Sequence, residues 1–151
     1  MVFRILTLDL GEARTLRSFS GSNRVSDIVI ERLPNTLILV TSAMFVTSLI
    51  GLYVGVKVAT QVGSRFERAV SYFSAISYAL PAWWLGIIFI ILFAFQLRIL
   101  PSSGMFSVPP PTEPLARFFD RLWHAILPVF TLIIVSIGPW AYAVRTMAVS
   151  Y

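Results

Sequence analysis

The stretch Ala69–Leu97, AVSYFSAISYALPAWWLGIIFIILFAFQL, runs 29 residues between Arg68 and Arg98 without a formal charge. At about 1.5 Å of rise per residue it outlasts a bilayer core of roughly 30 Å, so it reads as a membrane-spanning helix. Its middle, Leu80-Pro81-Ala82-Trp83-Trp84-Leu85-Gly86, carries a proline, two tryptophans and a glycine where a plain anchor needs only branched apolar residues. Pro81 removes one backbone donor and crowds the preceding turn, which predicts a kink between Ser77 and Pro81, with Ser74, Ser77 and Tyr78 available for the freed carbonyls. Trp83 and Trp84 lie too deep for an interfacial belt and, with Gly86, are candidates to line a passage; lipid-facing filler would leave the same pattern.

Two further uncharged runs flank this one. Leu33–Val56 holds 24 residues, and Leu122–Val144 holds 23 with His124 as its one side chain that ordinarily titrates near neutral pH. The chain therefore reads as an all-α polytopic membrane protein with three transmembrane helices. Its expected segments are 1–36 outside the membrane with an interfacial helix, a span over 37–58, a turn over 59–68, the kinked span 69–97, a Pro-rich loop over 98–121, a span over 122–146, and an end segment 147–151. Composition agrees: 57% of residues are hydrophobic and 13% charged, against about 25% charged in soluble domains. The net charge of +5 comes from eleven arginines and Lys57 set between the apolar runs, which argues against a nucleic-acid partner because such a face needs a contiguous basic patch. Cysteine is absent, so disulfides, thiol nucleophiles and thiolate metal sites drop out. No cleavable signal is evident in Met1–Leu10, whose apolar run is short and ends at Asp9.

In the first span, Ala43, Thr47, Gly51, Gly55 and Ala59 recur every four residues. Helices in lipid associate by close backbone approach, which small side chains permit, so this ridge is a candidate packing seam; a chance glycine pair in a tolerant span is the plainer reading. Before it, Val25, Ile28, Val29 and Leu33 oppose Arg24, Asp27 and Glu31, as in an interfacial amphipathic helix that Asn23 or Ser26 could cap. Leu33-Pro34-Asn35 is the expected corner into the span. Pro101, Pro109, Pro110, Pro111 and Pro114 exclude regular structure from the 98–121 loop, and with Gly104 they mark a candidate docking segment for an external protein or a simple spacer. Pro128 and Gly138-Pro139 predict a bent third span.

Charge leaves the orientation open. Eight basic residues fall with the amino-terminal segment and the Pro-rich loop, and four fall with the Lys57–Arg68 turn and Arg145. The larger count favours a cytoplasmic amino-terminal side, whereas the short dense turn is the loop to which the positive-inside rule applies best. No P-loop, His-Glu-x-x-His or Gly-x-Ser-x-Gly is present, and the spans hold no paired carboxylates. His124 beside Ser74 or Ser77 lacks an orienting acid, so it reads as an interfacial histidine and the chain as a non-enzyme.

Six ordered motifs carry a resemblance: Asp9-Leu10-Gly11, Glu31-Arg32-Leu33-Pro34-Asn35-Thr36-Leu37, Arg65-Phe66-Glu67-Arg68, the Leu80–Gly86 run, Leu100-Pro101-Ser102-Ser103-Gly104, and Ile126-Leu127-Pro128. Across about 120 of the 151 residues they resemble the inner-membrane permeases of binding-protein-dependent ABC importers for dipeptides, oligopeptides and nickel. The resemblance implies a type I importer permease fold in the cell membrane, no cofactor, and three kinds of protein partner: a second permease, cytoplasmic ATPase subunits and an extracytoplasmic substrate-binding protein. It also implies a cytoplasmic 59–68 turn and 147–151 end, an external 98–121 loop facing the binding protein, a further span before Met1 and a coupling loop after Tyr151. Pro81 and Pro139 would then be bending points of a pathway wall. A non-transporting membrane scaffold that recruits a partner through the small-residue ridge is the alternative.

Overall fold

The computed structural model describes residues 10–18 and 20–149. Asp9 of the first motif and the last two residues of the 147–151 end lie outside the described residues. The chain divides into two compact units, Met1–Leu39 and Val40–Tyr151. The elements are α1 (Val25–Ala59), α2 (Arg65–Ala79), α3 (Ala82–Phe89) continuing as a π-helical turn (Ile90–Gln96), and α4 (Pro114–Val149).

In the first unit, residues 11–18 and 20–24 fold back on themselves in a hook. The Ala13 N–H donates to the Asn23 carbonyl at 2.7 Å and the Val25 N–H to the Gly11 carbonyl at 3.0 Å, leaving Glu12 and Arg24 paired as an isolated antiparallel bridge. Ser22 organises the entry to α1: its Oγ accepts from the Arg24 N–H at 3.2 Å and donates to Asp27 at 2.6 Å. Asn23, one of two expected caps, instead donates to Glu12 at 2.9 Å. The corner expected at Pro34 does not form, because α1 runs through it as one helix. A proline costs a helix one donor and a steric clash with the preceding turn, and a long helix with strong apolar neighbours on both sides can absorb that cost.

In the second unit, α1 ends in a turn that Gly63 closes with φ of +80°, a left-handed conformation glycine adopts freely. Ser64 caps α2, its Oγ accepting from the Glu67 N–H at 3.0 Å. At the other end Leu80 and Pro81 are both extended, Leu80 because the proline ring excludes helical geometry from the residue before it. The result exceeds a kink: α2 and the Ala82–Gln96 helix meet at 98°. Each limb has 15 residues and a reach of about 22 Å, short of a bilayer core on its own. Ser74 does not serve the break either; its hydroxyl donates to the Val70 carbonyl at 2.8 Å.

α4 begins at Pro114, inside the stretch expected as loop, with proline at a first-turn position where its missing donor costs nothing. It continues through Pro128 and Pro139 as one helix. By length and apolarity α1 and α4 can each cross a membrane, and α2 with the Ala82–Gln96 helix supplies a third crossing if the broken pair is one span.

Candidate functional site

α4 is the element against which the rest of the second unit is built. In its C-terminal half Gly138 meets α2 so closely that a Cβ there would lie 2.6 Å from the Ser74 Cα and 3.2 Å from the Ser77 Cβ. One turn further, the buried Gly51 and Gly55 of α1 face it: a Cβ on Gly51 would lie 2.9 Å from the Trp140 Cβ, and one on Gly55 would lie 2.5 Å from the Val144 Cβ. Ala43 and Thr47 are buried on the same ridge. Three glycines thus let three backbones converge, which is how helices gain dispersion contact in a solvent as apolar as themselves.

The α4 end of this seam is fastened by charge. Glu67, buried in the first turn of α2, accepts from the Arg145 guanidinium through Oε1 and from the Gly63 N–H through Oε2. One carboxylate therefore joins the turn, the α2 terminus and α4 across 78 residues of sequence. Neither partner was singled out by composition or spacing. The available signal was Ser64-x-x-Glu67, a capping-box pattern that places a carboxylate at the start of a helix.

At the opposite end α3 leans on α4 through Phe89, Phe93 and Phe130, with ring centroids 5.3 to 6.4 Å apart. Beside this cluster opens a concavity of about 470 Å³. Trp83 and Gly86 of α3, the loop Pro101–Gly104, and His124, Pro128 and Thr131 of α4 line it. Three motifs far apart in sequence meet there. Trp83 is 69% exposed and offers its ring as a wall, while Ser102, Ser103, Thr131 and His124 supply polar groups. His124 is buried and its Nδ1 lies 2.8 Å from the Asp120 carbonyl and 3.5 Å from the Asp120 carboxylate. The nearest backbone acceptor thus fixes the ring.

The loop over this concavity is held from below by the first turns of α4. Ser107 donates to Asp120 twice, from its N–H at 2.8 Å and its Oγ at 2.6 Å. Arg121 stacks 4.8 Å from the Phe106 ring centre, and the Arg117 Nε donates to the Pro111 carbonyl at 3.2 Å. Of the expected loop residues, Pro101 and Gly104 line the concavity, whereas Pro109 and Pro110 are exposed outside it. Of the expected pathway residues, Trp83 and Gly86 line it and Trp84 and Pro81 do not. Pro139 sits in a separate groove between α2 and α4, of about 380 Å³, with Ser71, Ser74, Tyr78 and Tyr142. His124, Thr131, Ser102 and Ser103 were not expected at a site; the available signal was the helical spacing of Arg117, Asp120, His124 and Thr131 along one side of α4.

Helices throughout the ordered elements of the described residues, glycine-mediated crossings and two or three apolar spans define a multi-pass membrane protein. The family described as binding-protein-dependent transport system inner membrane component matches residues 47–151, and the chain belongs to that family, whose fold is that of type I importer permeases. Among curated relatives, the oligopeptide transport system permease protein AppB of Bacillus subtilis is 33% identical over 72% of this chain and 33% of its own length. A putative peptide transport system permease of Brucella abortus is 33% identical over 96% of this chain and 43% of its own. The probable D,D-dipeptide transport system permease protein DdpB of Escherichia coli is 31% identical over 75% and 38% respectively. The chain thus spans less than half the length of these relatives. No solved structure matches.

Proposed function

We propose that this chain forms part of the translocation wall of an ATP-driven importer for dipeptides or oligopeptides in the cell membrane. ATP hydrolysis would reside in separate cytoplasmic subunits, a second permease would complete the path, and an extracytoplasmic binding protein would deliver substrate to the loop over residues 98–113. The observation that carries this reading is the convergence of the Leu80–Gly86, Leu100–Gly104 and Ile126–Pro128 motifs on one concavity under a tethered loop. The names of the matched relatives support peptides as the cargo class.

On this reading the two ends of the unit have different tasks. The 98° joint at Leu80–Pro81 leaves α3 and its loop on a two-residue extended link, so they can turn against α2 with little loss of helical hydrogen bonding. The Glu67–Arg145 clasp would hold the cytoplasmic ends of α2 and α4 as one body, so that a push from an ATPase moves both. Trp83→Ala in the assembled importer should lower peptide uptake and the peptide-stimulated part of ATP hydrolysis while leaving basal hydrolysis in place. Unchanged uptake would remove the concavity from the path.

A further inference from the structure

On the α1 face turned away from the glycine seam, Leu49, Leu52, Tyr53 and Val56 line an open groove of about 470 Å³ that ends at Lys57. All four are exposed, and their spacing places them on one side of the helix over about 10 Å of rise. Lys57 is held at the groove's end: its Nζ lies 5.9 Å from the Tyr53 ring centre and 5.1 Å from that of Phe66. A lysine reaching for water alone would need no such seat.

The surrounding charge is one-sided. Residues 57–68 hold Lys57, Arg65 and Arg68 against Glu67 alone, and Glu67 is already engaged by Arg145 and Gly63. Among the described residues no carboxylate pairs with Lys57, Arg65 or Arg68, and both arginines are exposed. An apolar groove that ends at a lysine without a carboxylate partner, in a turn carrying two further exposed arginines, matches one kind of molecule. We propose that it binds an anionic phospholipid, with an acyl chain along Leu49–Val56 and the phosphate on Lys57, while Arg65 and Arg68 of the same short segment add to the positive potential that attracts it. This inference does not depend on what the protein transports.

The test places photoreactive benzoylphenylalanine at Leu49 in the full chain, reconstituted in vesicles of equimolar phosphatidylglycerol and phosphatidylcholine. The phosphatidylglycerol adduct should exceed the phosphatidylcholine adduct, and each of Lys57→Gln, Arg65→Gln and Arg68→Gln should lower that ratio by about fivefold. Lys57→Arg should keep the ratio, which separates lost charge from lost folding. Equal labelling of the two lipids in the parent chain, adducts to a second copy or a partner subunit in place of lipid, or an unchanged ratio in the triple variant would each overturn the proposal.

Discussion

The two ends of α4 are built on opposite terms. Near Gly138 and Arg145 its neighbours approach to backbone contact and a buried carboxylate closes the gap, whereas near His124 they stand apart around an open concavity roofed by a loop. The first arrangement tolerates no added atom. The second leaves a tryptophan ring exposed, with serine, threonine and histidine side chains in its lining. A molecule that is fastened at one end and open at the other can transmit a movement without deforming where it is gripped.

That contrast can be broken most forcibly at its tight end. Gly138→Leu places a side chain where the Ser74 Cα already lies 2.6 Å from a Cβ, so α2 and α4 must separate. We expect a loss of about 3 kcal/mol or more, at the upper end of overpacking costs, read as lost thermal stability in detergent. Next in size is Glu67→Gln, which keeps an acceptor for Gly63 but leaves the Arg145 guanidinium without its counter-charge. About 1–3 kcal/mol should be lost, and in a double-mutant cycle with Arg145→Gln the two losses should not add.

The open end should respond less in stability and more in access. Ser107→Ala removes one of two bonds to Asp120, and protease cleavage within residues 97–113 should quicken while the melting temperature holds. Trp83→Ala is the smallest perturbation of all to the fold, within about 0.5 kcal/mol for so exposed a side chain, so its effect on uptake can be read without a stability correction. A large loss of stability from Trp83→Ala would mean that the concavity is filled in the working assembly.

Apolar run length made the helical class and the crossings readable from sequence, because a bilayer imposes a fixed length and forbids unpaired backbone. The break at Pro81 was readable as a location and not as an angle. Whether a proline kinks a helix or ends it depends on the residue before it and on what each limb packs against; here Leu80 goes extended, while Pro34, Pro128 and Pro139 stay inside helices. The site was readable only in pieces. Nothing in local spacing brings Trp83, Ser103 and His124 together, or Glu67 to Arg145, since the first meeting depends on how α3 packs on α4 and the second on how α2 crosses α4 at Gly138. The π-helical turn over Ile90–Gln96 left no mark in a run that is apolar up to its last residue, Gln96.

The absence of cysteine allows the whole account to be tested on one preparation. Single cysteines at Val62, exposed in the turn beside the Glu67 clasp, and at Ser103, on the rim of the concavity, would be treated with a membrane-impermeant thiol reagent in intact cells and in inverted vesicles. Ser103→Cys should react only from outside and be shielded by a loaded binding protein, and Val62→Cys should react only from the cytoplasmic face. Reaction of both from the same side, or of Val62→Cys from outside, would contradict this orientation.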